Sequence, residues 1–344
     1  MKIANKLVEV PLPNDEFLKS KFAPPVYICH RAKGKPTIDG DVFKPFWDHA
    51  PRTQPFRDIE GACRPAPAKE TWAKLLWDDE NLYIAAILYG EEIFAYVTER
   101  DDIIFHDNDF EFFLDRENTT QNYFEFEMNA LNTVWDLILP KSYLNGGTPL
   151  DGFNFNGMET AVKIQGELNK PNPNNEYWSL EIKIPWKSIA KHGSASDPPV
   201  VGDYYRFNFS RVQWQVEVKD GQYTRKINPE TNRPYPEDNW VYAPTGVVNI
   251  HYPELWAFLV FADDAAATFE IPRHEYVKWE LRKEYYAQRA HYARHNLYTP
   301  QVLTQSNENI KVETTVSTFQ AYVVDGNKRI NIAHDGYTWM EEIT

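Results

Sequence analysis

The sequence has few cysteines, too little positive charge to balance its acids, and no long apolar run. Only Cys29 and Cys63 occur, which excludes a disulfide framework and a cysteine-based zinc set but leaves a single bridge open. Lys and Arg number 36 against 50 Asp and Glu, a net charge of −14. Because nucleic-acid affinity depends on clustered basic residues, no nucleic-acid partner is expected.

Signals for membrane insertion and export are also missing. No run of about 18 apolar residues occurs, so no transmembrane helix is predicted. The first twenty residues lack the apolar core of a signal peptide. We therefore expect a soluble chain without a membrane partner, cytoplasmic as written, or secreted or periplasmic if a leader was removed. Its oligomeric state stays open.

Several kinds of catalytic motif are absent as well. The sequence contains no glycine-rich phosphate loop, no nucleophile elbow and no Cys–His constellation. These absences argue against phosphoryl transfer and against nucleophilic catalysis of the common kinds.

Aromatic and alternating segments dominate what is present. Hydrophobic residues make up 42% and aromatic residues 15% of the chain. About ten short segments with period-two alternation, separated by polar turns, predict an all-β fold with a two-sheet antiparallel β-sandwich. Composition changes near residue 263, after which the pattern predicts one helix over 272–295 and a small sheet. We expect an extended N-terminal arm over 1–25, a sandwich over 26–262 and a small α+β C-terminal appendage over 263–344.

One predicted hairpin, within residues 100–129, carries paired acids. Its two strands each alternate, with one apolar face and one polar face. A register that places Asp115 opposite Tyr123 also places Glu111 opposite Glu127. Since directly opposed like charges destabilise a sheet, an arginine, a cation, a bound polyol or a raised pKa should offset them.

The order of the motifs resembles the carbohydrate-binding module family 9, over about residues 26–262. The matching segments, in order, are Ile38-Asp39-Gly40, Phe46-Trp47, 76–83 (Leu-Trp-Asp-Asp-Glu-Asn-Leu-Tyr), 105–115 (Phe-His-Asp-Asn-Asp-Phe-Glu-Phe-Phe-Leu-Asp), 127–130 (Glu-Met-Asn-Ala) and 180–186 (Leu-Glu-Ile-Lys-Ile-Pro-Trp). The resemblance implies a jelly-roll β-sandwich, sugar binding without catalysis, and structural calcium in some members.

The resemblance also implies roles for individual residues. Glu111 falls where family members hydrogen-bond a sugar, and Asn208 and Ser210 fall near their amide contacts. Glu127 stands where those members place an arginine. Their two stacking tryptophans align near Phe105 and near Ile250-His251-Tyr252.

Sugar recognition needs flat apolar faces and bidentate polar groups. On the residues themselves and on the resemblance, we predict a ligand site made of Glu111, Glu127, Asn129, Phe105, His106, Trp135, Asn208, Ser210, His251 and Tyr252.

A calcium site is a further possibility that the acidic segment raises. Asp107 and Asp109 are the candidate ligands, although Phe112 stands where an EF-hand loop needs glycine. A solvated acidic loop is the alternative, and no cofactor is required by the sequence.

Three functions remain open from the sequence. The first is non-catalytic polysaccharide or oligosaccharide binding, serving carbohydrate catabolism. The second is a glycoside hydrolase that uses Glu111 and Glu127, because opposed residues on paired strands approach the roughly 5 Å carboxyl spacing of a retaining enzyme. The third is a structural or interaction module in which Arg100, Arg206 or Arg211 neutralises the two glutamates.

Overall fold

A computed structural model describes residues 10–189 and 198–343 of the chain, and strands predominate in it. The strands are β1 (Val26–Arg31), β2 (Arg57–Asp58), β3 (Thr71–Trp77), β4 (Asn81–Tyr89), β5 (Asp109–Asp115), β6 (Tyr123–Asn129), β7 (Val134–Leu139), β8 (Glu159–Gln165), β9 (Tyr177–Pro185), β10 (Tyr204–Gln213), β11 (Val216–Lys219), β12 (Gln222–Arg225), β13 (Ile227–Asn228), β14 (Arg233–Pro234), β15 (Asp238–Val241), β16 (Ala257–Ala262), β17 (Lys311–Thr314), β18 (Phe319–Asp325), β19 (Lys328–Ala333) and β20 (Thr338–Glu342). The α-helices are α1 (Asp15–Lys19) and α2 (Arg273–His295).

The main sheet curls into the two layers of a sandwich, as predicted. Its order is β7-β6-β5-β10-β16-β1-β3-β4-β9-β8, with β15 on β10 and β2 on β15. The pairing is antiparallel except at β1, which runs parallel to both β16 and β3. This departure from an all-antiparallel arrangement could not be read from the sequence, because alternation is the same in parallel and antiparallel strands.

The apolar faces of both layers form one core. Phe112 and Phe126 from β5 and β6 belong to the same buried cluster as Leu75, Ile84 and Ile182 from β3, β4 and β9. The alternate positions predicted to be apolar therefore point between the layers. The opposite face of β5 and β6 is left for other contacts.

Several segments that carry the family resemblance are tied together by one buried carboxylate, Glu181. Its Oε1 accepts a hydrogen bond from Trp47 Nε1 at 2.7 Å, and its Oε2 accepts from the backbone nitrogens of Asp39 and Gly40, each at 2.9 Å. Lys44 Nζ lies 2.7 Å from the same Oε2. These four contacts fasten the loop before β2 onto β9, so the motif residues here have a structural role.

Two further details of those motifs are structural too. Gly40 has a φ of +83°, and a Cβ there would lie 2.6 Å from the backbone nitrogen of Lys163, so only glycine fits. In the β3–β4 turn, Trp186 Nε1 donates to Asp78 O at 2.8 Å and Trp186 N donates to Glu80 O at 2.9 Å. The turn and the end of β9 are thereby held together.

Glu181→Ala should lower the free energy of unfolding by about 2–3 kcal/mol, because it leaves buried donors without an acceptor. Urea denaturation monitored by tryptophan fluorescence measures the change. Glu159→Ala is the matched control, since that glutamate is 58% exposed and pairs with Lys183 on the neighbouring strand. It should change stability by no more than about 1 kcal/mol. Equal effects of the two variants would contradict the role given to Glu181.

The C-terminal segment consists of α2 and the antiparallel sheet β17-β18-β19-β20, which agrees with the predicted helix and small sheet. The stripe residues Val277, Leu281 and Tyr285 are buried in a second core. This core also contains Phe22 from the N-terminal segment and Phe258 from β16. Because it draws on all three predicted segments, the division into arm, sandwich and appendage stays a prediction.

Three smaller expectations can be compared with the structure. Residues 1–9 of the predicted arm lie outside the described residues, and the rest of it contains the short helix α1 instead of being extended throughout. Cys29 is buried, Cys63 is exposed, and neither forms a disulfide. In the part of the chain that is described, no helix has the length and apolar character needed to cross a membrane.

Candidate functional site

The acidic hairpin forms with the predicted register. Glu111 lies opposite Glu127, and Asp109 lies opposite Asn129. The link between the strands is organised by Asp115, whose carboxylate accepts hydrogen bonds from Glu117 N at 3.1 Å and Thr120 N at 2.7 Å.

The polar face of this hairpin is divided between two environments. Near the β5–β6 link it is covered by α2, since Lys278 Nζ donates to Asn118 O at 3.0 Å and Arg282 Nη2 donates to Thr120 Oγ1 at 2.9 Å. At the other end it forms the wall of an open cavity of about 250 Å³. The cavity is lined by Ile59, Phe105, Glu111, Glu125, Glu127, Trp135, Tyr143, Glu237, Asn239, Val248, Asn249, Ile250 and His251.

Four carboxyl groups gather at this end, and we call them the acidic cluster: Asp109, Glu111, Glu125 and Glu127. All four side chains are at least nine-tenths buried. Asp109, Glu111 and Glu127 each offer an oxygen atom, and these atoms lie within 4.8 Å of one another. Their backbone contacts are few: Glu127 Oε2 accepts from Phe105 N at 3.1 Å, and Asp109 Oδ1 accepts from Val212 N at 3.2 Å.

Burial and mutual repulsion shift the acidity of the cluster in one direction. Burial raises the pKa of Glu111 to about 7, and the Ser210 hydroxyl opposes that shift. Burial, together with the neighbouring charge of Glu111, raises the pKa values of Asp109, Glu125 and Glu127 well above their ordinary values. The protein by itself therefore stabilises the negative charge of this cluster poorly.

Internal arginines do not offset these charges, so the neutralisation proposed for a structural module is wrong. Arg100 pairs with Asp136, and Arg206 pairs with Glu275. Arg211 donates to Thr71 Oγ1 and Gln213 Oε1 at 2.9 and 2.6 Å. Within residues 10–189 and 198–343, no ion pair involves any member of the acidic cluster.

His251 does not supply a positive charge to the cavity either. Burial lowers the pKa of His251 to about 3, so its ring is neutral at pH 7. Its Nδ1 lies 2.9 Å from Tyr123 Oη, and its ring packs edge-on against Tyr143 with centroids 4.7 Å apart. It forms a neutral, fixed part of the wall.

Phe105 is the most accessible predicted aromatic residue of the cavity wall. It lies in a 3₁₀ turn, Ile104–His106, immediately before β5, and its side chain is 36% exposed. Its backbone is anchored on both sides, by the contact to Glu127 and by Trp214 Nε1, which donates to Phe105 O at 2.8 Å. An exposed ring on a fixed backbone suits stacking against a ligand.

Half of the predicted ligand residues come together in this cavity. The five that line it are Glu111, Glu127, Phe105, Trp135 and His251. Ser210 lies behind them, opposite Glu111 on the adjoining strand and 1% exposed. The convergence of side chains from β5, β6, β7 and two loops supports a common site.

The other four predicted ligand residues are not among the cavity-lining residues. The amide of Asn129 bonds to Val97 O and Asp107 Oδ2, each at 2.9 Å, and that of Asn208 bonds to Ala243 O at 2.8 Å. Tyr252 is 1% exposed within the second core, and its hydroxyl donates to Pro11 O at 2.5 Å. His106 faces solvent beside Phe105. These placements reflect backbone satisfaction and packing, which residue type alone does not reveal.

The two predicted calcium ligands are separated by function. Asp107 Oδ2 accepts hydrogen bonds from Tyr96 N, Val97 N and Asn129 Nδ2 at 2.8–2.9 Å, so it orders the loop before β5. Asp107 is absent from the group of mutually close carboxylates, whereas Asp109 belongs to it with Glu111 and Glu127.

Sequence reasoning missed part of the wall. Tyr143 comes from the long loop after β7, and length alone could have suggested that this loop borders a site. Glu125 was placed on the polar face but not in the site. Glu237, Asn239 and Asn249 carry no local signal, because the return of distant segments to β10 brings them here.

Comparison with known proteins agrees with the resemblance. The family model described as "Carbohydrate family 9 binding domain-like" matches residues 38–202, which begins at Ile38-Asp39-Gly40. No curated protein matches the sequence significantly. The resemblance to family 9 is therefore confirmed over that segment.

Solved structures share the fold at low sequence identity. A candidate carbohydrate-binding protein from Bacteroides uniformis ATCC 8492 is 14% identical, with a TM-score of 0.51, covering 70% of this chain and 100% of that one. Two structures of a family 9 carbohydrate-binding module from Caldicellulosiruptor kristjanssonii, in complex with cellotriose and with glucose, are 16% identical with TM-scores of 0.42. They cover 72% of this chain and 99% and 100% of theirs.

Proposed function

We propose that this protein binds carbohydrate without catalysis, in the cavity beside the acidic hairpin. The observation that carries the proposal is the position of Glu111. The family 9 resemblance implies that this residue hydrogen-bonds a sugar, and it lines a cavity together with Glu127, Phe105 and Trp135. The match of residues 38–202 to the family model supports the same function.

The chemistry of the wall suits a polyhydroxylated ring. Phe105, Trp135 and Tyr143 offer apolar faces, and Glu111 and Asn239 offer acceptors and donors for hydroxyl groups. The volume of about 250 Å³ is below the ~300–1,000 Å³ typical of sites for drug-sized ligands. We infer that one or two sugar rings enter, while the remainder of a longer glycan lies outside.

Hydrolysis is less well supported by the same residues. A retaining glycosidase needs one ionised carboxylate and one protonated acid, which requires environments that separate the two pKa values. Burial raises the pKa values of both Glu111 and Glu127. They also project from adjacent strands of one wall. Turnover of aryl glycosides that is abolished by Glu111→Gln would overturn the non-catalytic proposal.

Phe105→Ala should weaken glycan binding by about tenfold, because the loss of one stacking face costs about 1–1.5 kcal/mol. A glycan array identifies a ligand, and isothermal titration calorimetry of wild type and variant measures the change. Phe43→Ala is the control, since Phe43 is 52% exposed and does not line the cavity. Absence of binding to any glycan by the wild type would refute the proposed function, and unchanged affinity of Phe105→Ala would remove Phe105 from the site.

A further inference from the structure

We propose that Asp109, Glu111 and Glu127 hold a divalent cation of the calcium type at the wall of the cavity, and that sugar hydroxyls complete its coordination. The part concerning sugar rests on the proposed function. The part concerning the cation rests on the geometry of the three carboxylates and stands independently.

The spacing of the donor atoms fits such an ion. Calcium binds oxygen at about 2.3–2.6 Å, so two ligands on opposite sides of the ion are about 5 Å apart. The three carboxylate oxygens all lie within 4.8 Å of one another. They can therefore share one ion with little movement of their strands, which the β5–β6 pairing holds in register.

The donor type selects the class of metal. The three donors are carboxylates without histidine or cysteine, and an all-oxygen set favours calcium, magnesium or manganese over zinc or copper. Calcium takes six to eight oxygen ligands. Three carboxylates leave positions open, and the cavity gives water or vicinal hydroxyl groups access to them.

A second observation points to a positively charged occupant. Glu125 lines the same cavity, is 5% exposed, and its Oε2 has no hydrogen-bond partner. Oδ2 of Asp109, which is 0% exposed, also has none. Buried charged oxygens without partners are costly, and a bound cation would satisfy them.

The surroundings provide no alternative cation. No lysine or arginine occurs among the cavity-lining residues that the structure describes. His251, the basic side chain of the wall, is held through Nδ1 by Tyr123. An external ion therefore meets a site with four acids and no competing positive group.

The first experiment titrates the metal-stripped full-length protein with calcium chloride alone, by isothermal titration calorimetry and by thermal unfolding. We expect saturable binding and a rise in Tm with calcium concentration. Glu127→Gln should weaken calcium binding at least tenfold and remove most of the gain in Tm. Glu217→Gln, on the exposed strand β11, is the matched control and should behave as wild type.

Loss of folding does not explain the expected result for Glu127→Gln. In the presence of EDTA this variant should be at least as stable as wild type, because it removes one of two directly opposed negative charges. Absence of calcium binding in the wild type, or a Tm that does not respond to calcium, magnesium or manganese, would overturn the cation proposal.

The second experiment repeats the glycan binding measurement with EDTA and with added calcium. Binding that is lost in EDTA and restored by calcium supports coordination of the sugar by the ion. Equal glycan binding in both conditions overturns that coordination and leaves the proposed function standing. Calcium binding without binding of any glycan supports the ion but refutes the proposed function.

Discussion

Glu111→Ala should weaken glycan binding by about 30-fold or more, the largest binding effect expected for one substitution in this protein. A hydrogen bond to a charged group contributes about 1.5–3 kcal/mol, and truncation at the centre of a buried site often costs more than 2 kcal/mol. Glu111 lies in the middle of the wall, between Glu127 on β6 and Ser210 on β10. Isothermal titration calorimetry with the best array ligand measures the effect.

The control for this result is Glu217→Ala, which removes an exposed glutamate away from the cavity and should leave affinity unchanged. Glu111→Ala should keep the wild-type Tm or exceed it in EDTA, because the substitution relieves repulsion with Glu127. If its affinity stays within about threefold of wild type while Phe105→Ala loses binding, the carboxylate is not a sugar ligand.

Arg206→Ala should lower the free energy of unfolding by about 3–5 kcal/mol. Arg206 is 3% exposed and its Nη1 lies 3.6 Å from Oε2 of Glu275 on α2. It also donates to Glu254 O at 2.7 Å and stacks on Phe258 at 4.1 Å. Removing one partner of a buried ion pair leaves an uncompensated charge, which explains the size of the loss. Urea denaturation measures it.

Two further variants test the reason for that loss. Arg273→Ala is the matched control, because Arg273 pairs with Glu308 while 58% exposed, and it should cost no more than about 1 kcal/mol. Arg206→Met combined with Glu275→Leu should recover much of the stability, since apolar replacement of both partners is often tolerated. A loss below about 1 kcal/mol for Arg206→Ala would mean that this pair does not hold α2 on the sandwich.

The cavity and the docking surface share one strand face, and this arrangement explains why two stabilities can be separated. Arg206 and Asp115 lie opposite each other at one end of β10 and β5, while Ser210 and Glu111 lie opposite each other farther along. The first end is buried under α2, whereas the second borders the cavity. Substitutions at the first end should therefore affect folding, and those at the second should affect binding.

The sequence alone was sufficient for the strands, for which face of each strand is apolar, and for the opposition of Glu111 and Glu127. Period-two alternation in β5 and β6 determines these features locally, and a one-residue slip would bury the acids in the core. The motif order was likewise sufficient for the family resemblance, partly because Trp47, Gly40 and Glu181 must meet to close the sandwich.

Only the tertiary structure decided which polar residues are available to a ligand. Asn129, Asn208 and Asp107 have the right chemistry for a site, yet backbone groups of neighbouring loops use their side chains. Tyr143, Asn239 and Glu125 line the cavity because distant segments return to one strand face. Whether an acid is solvated, paired or left without a partner depends on these long-range contacts, and local pattern does not contain them. The sequence therefore determined that two glutamates oppose each other, and the fold decided that no arginine reaches them.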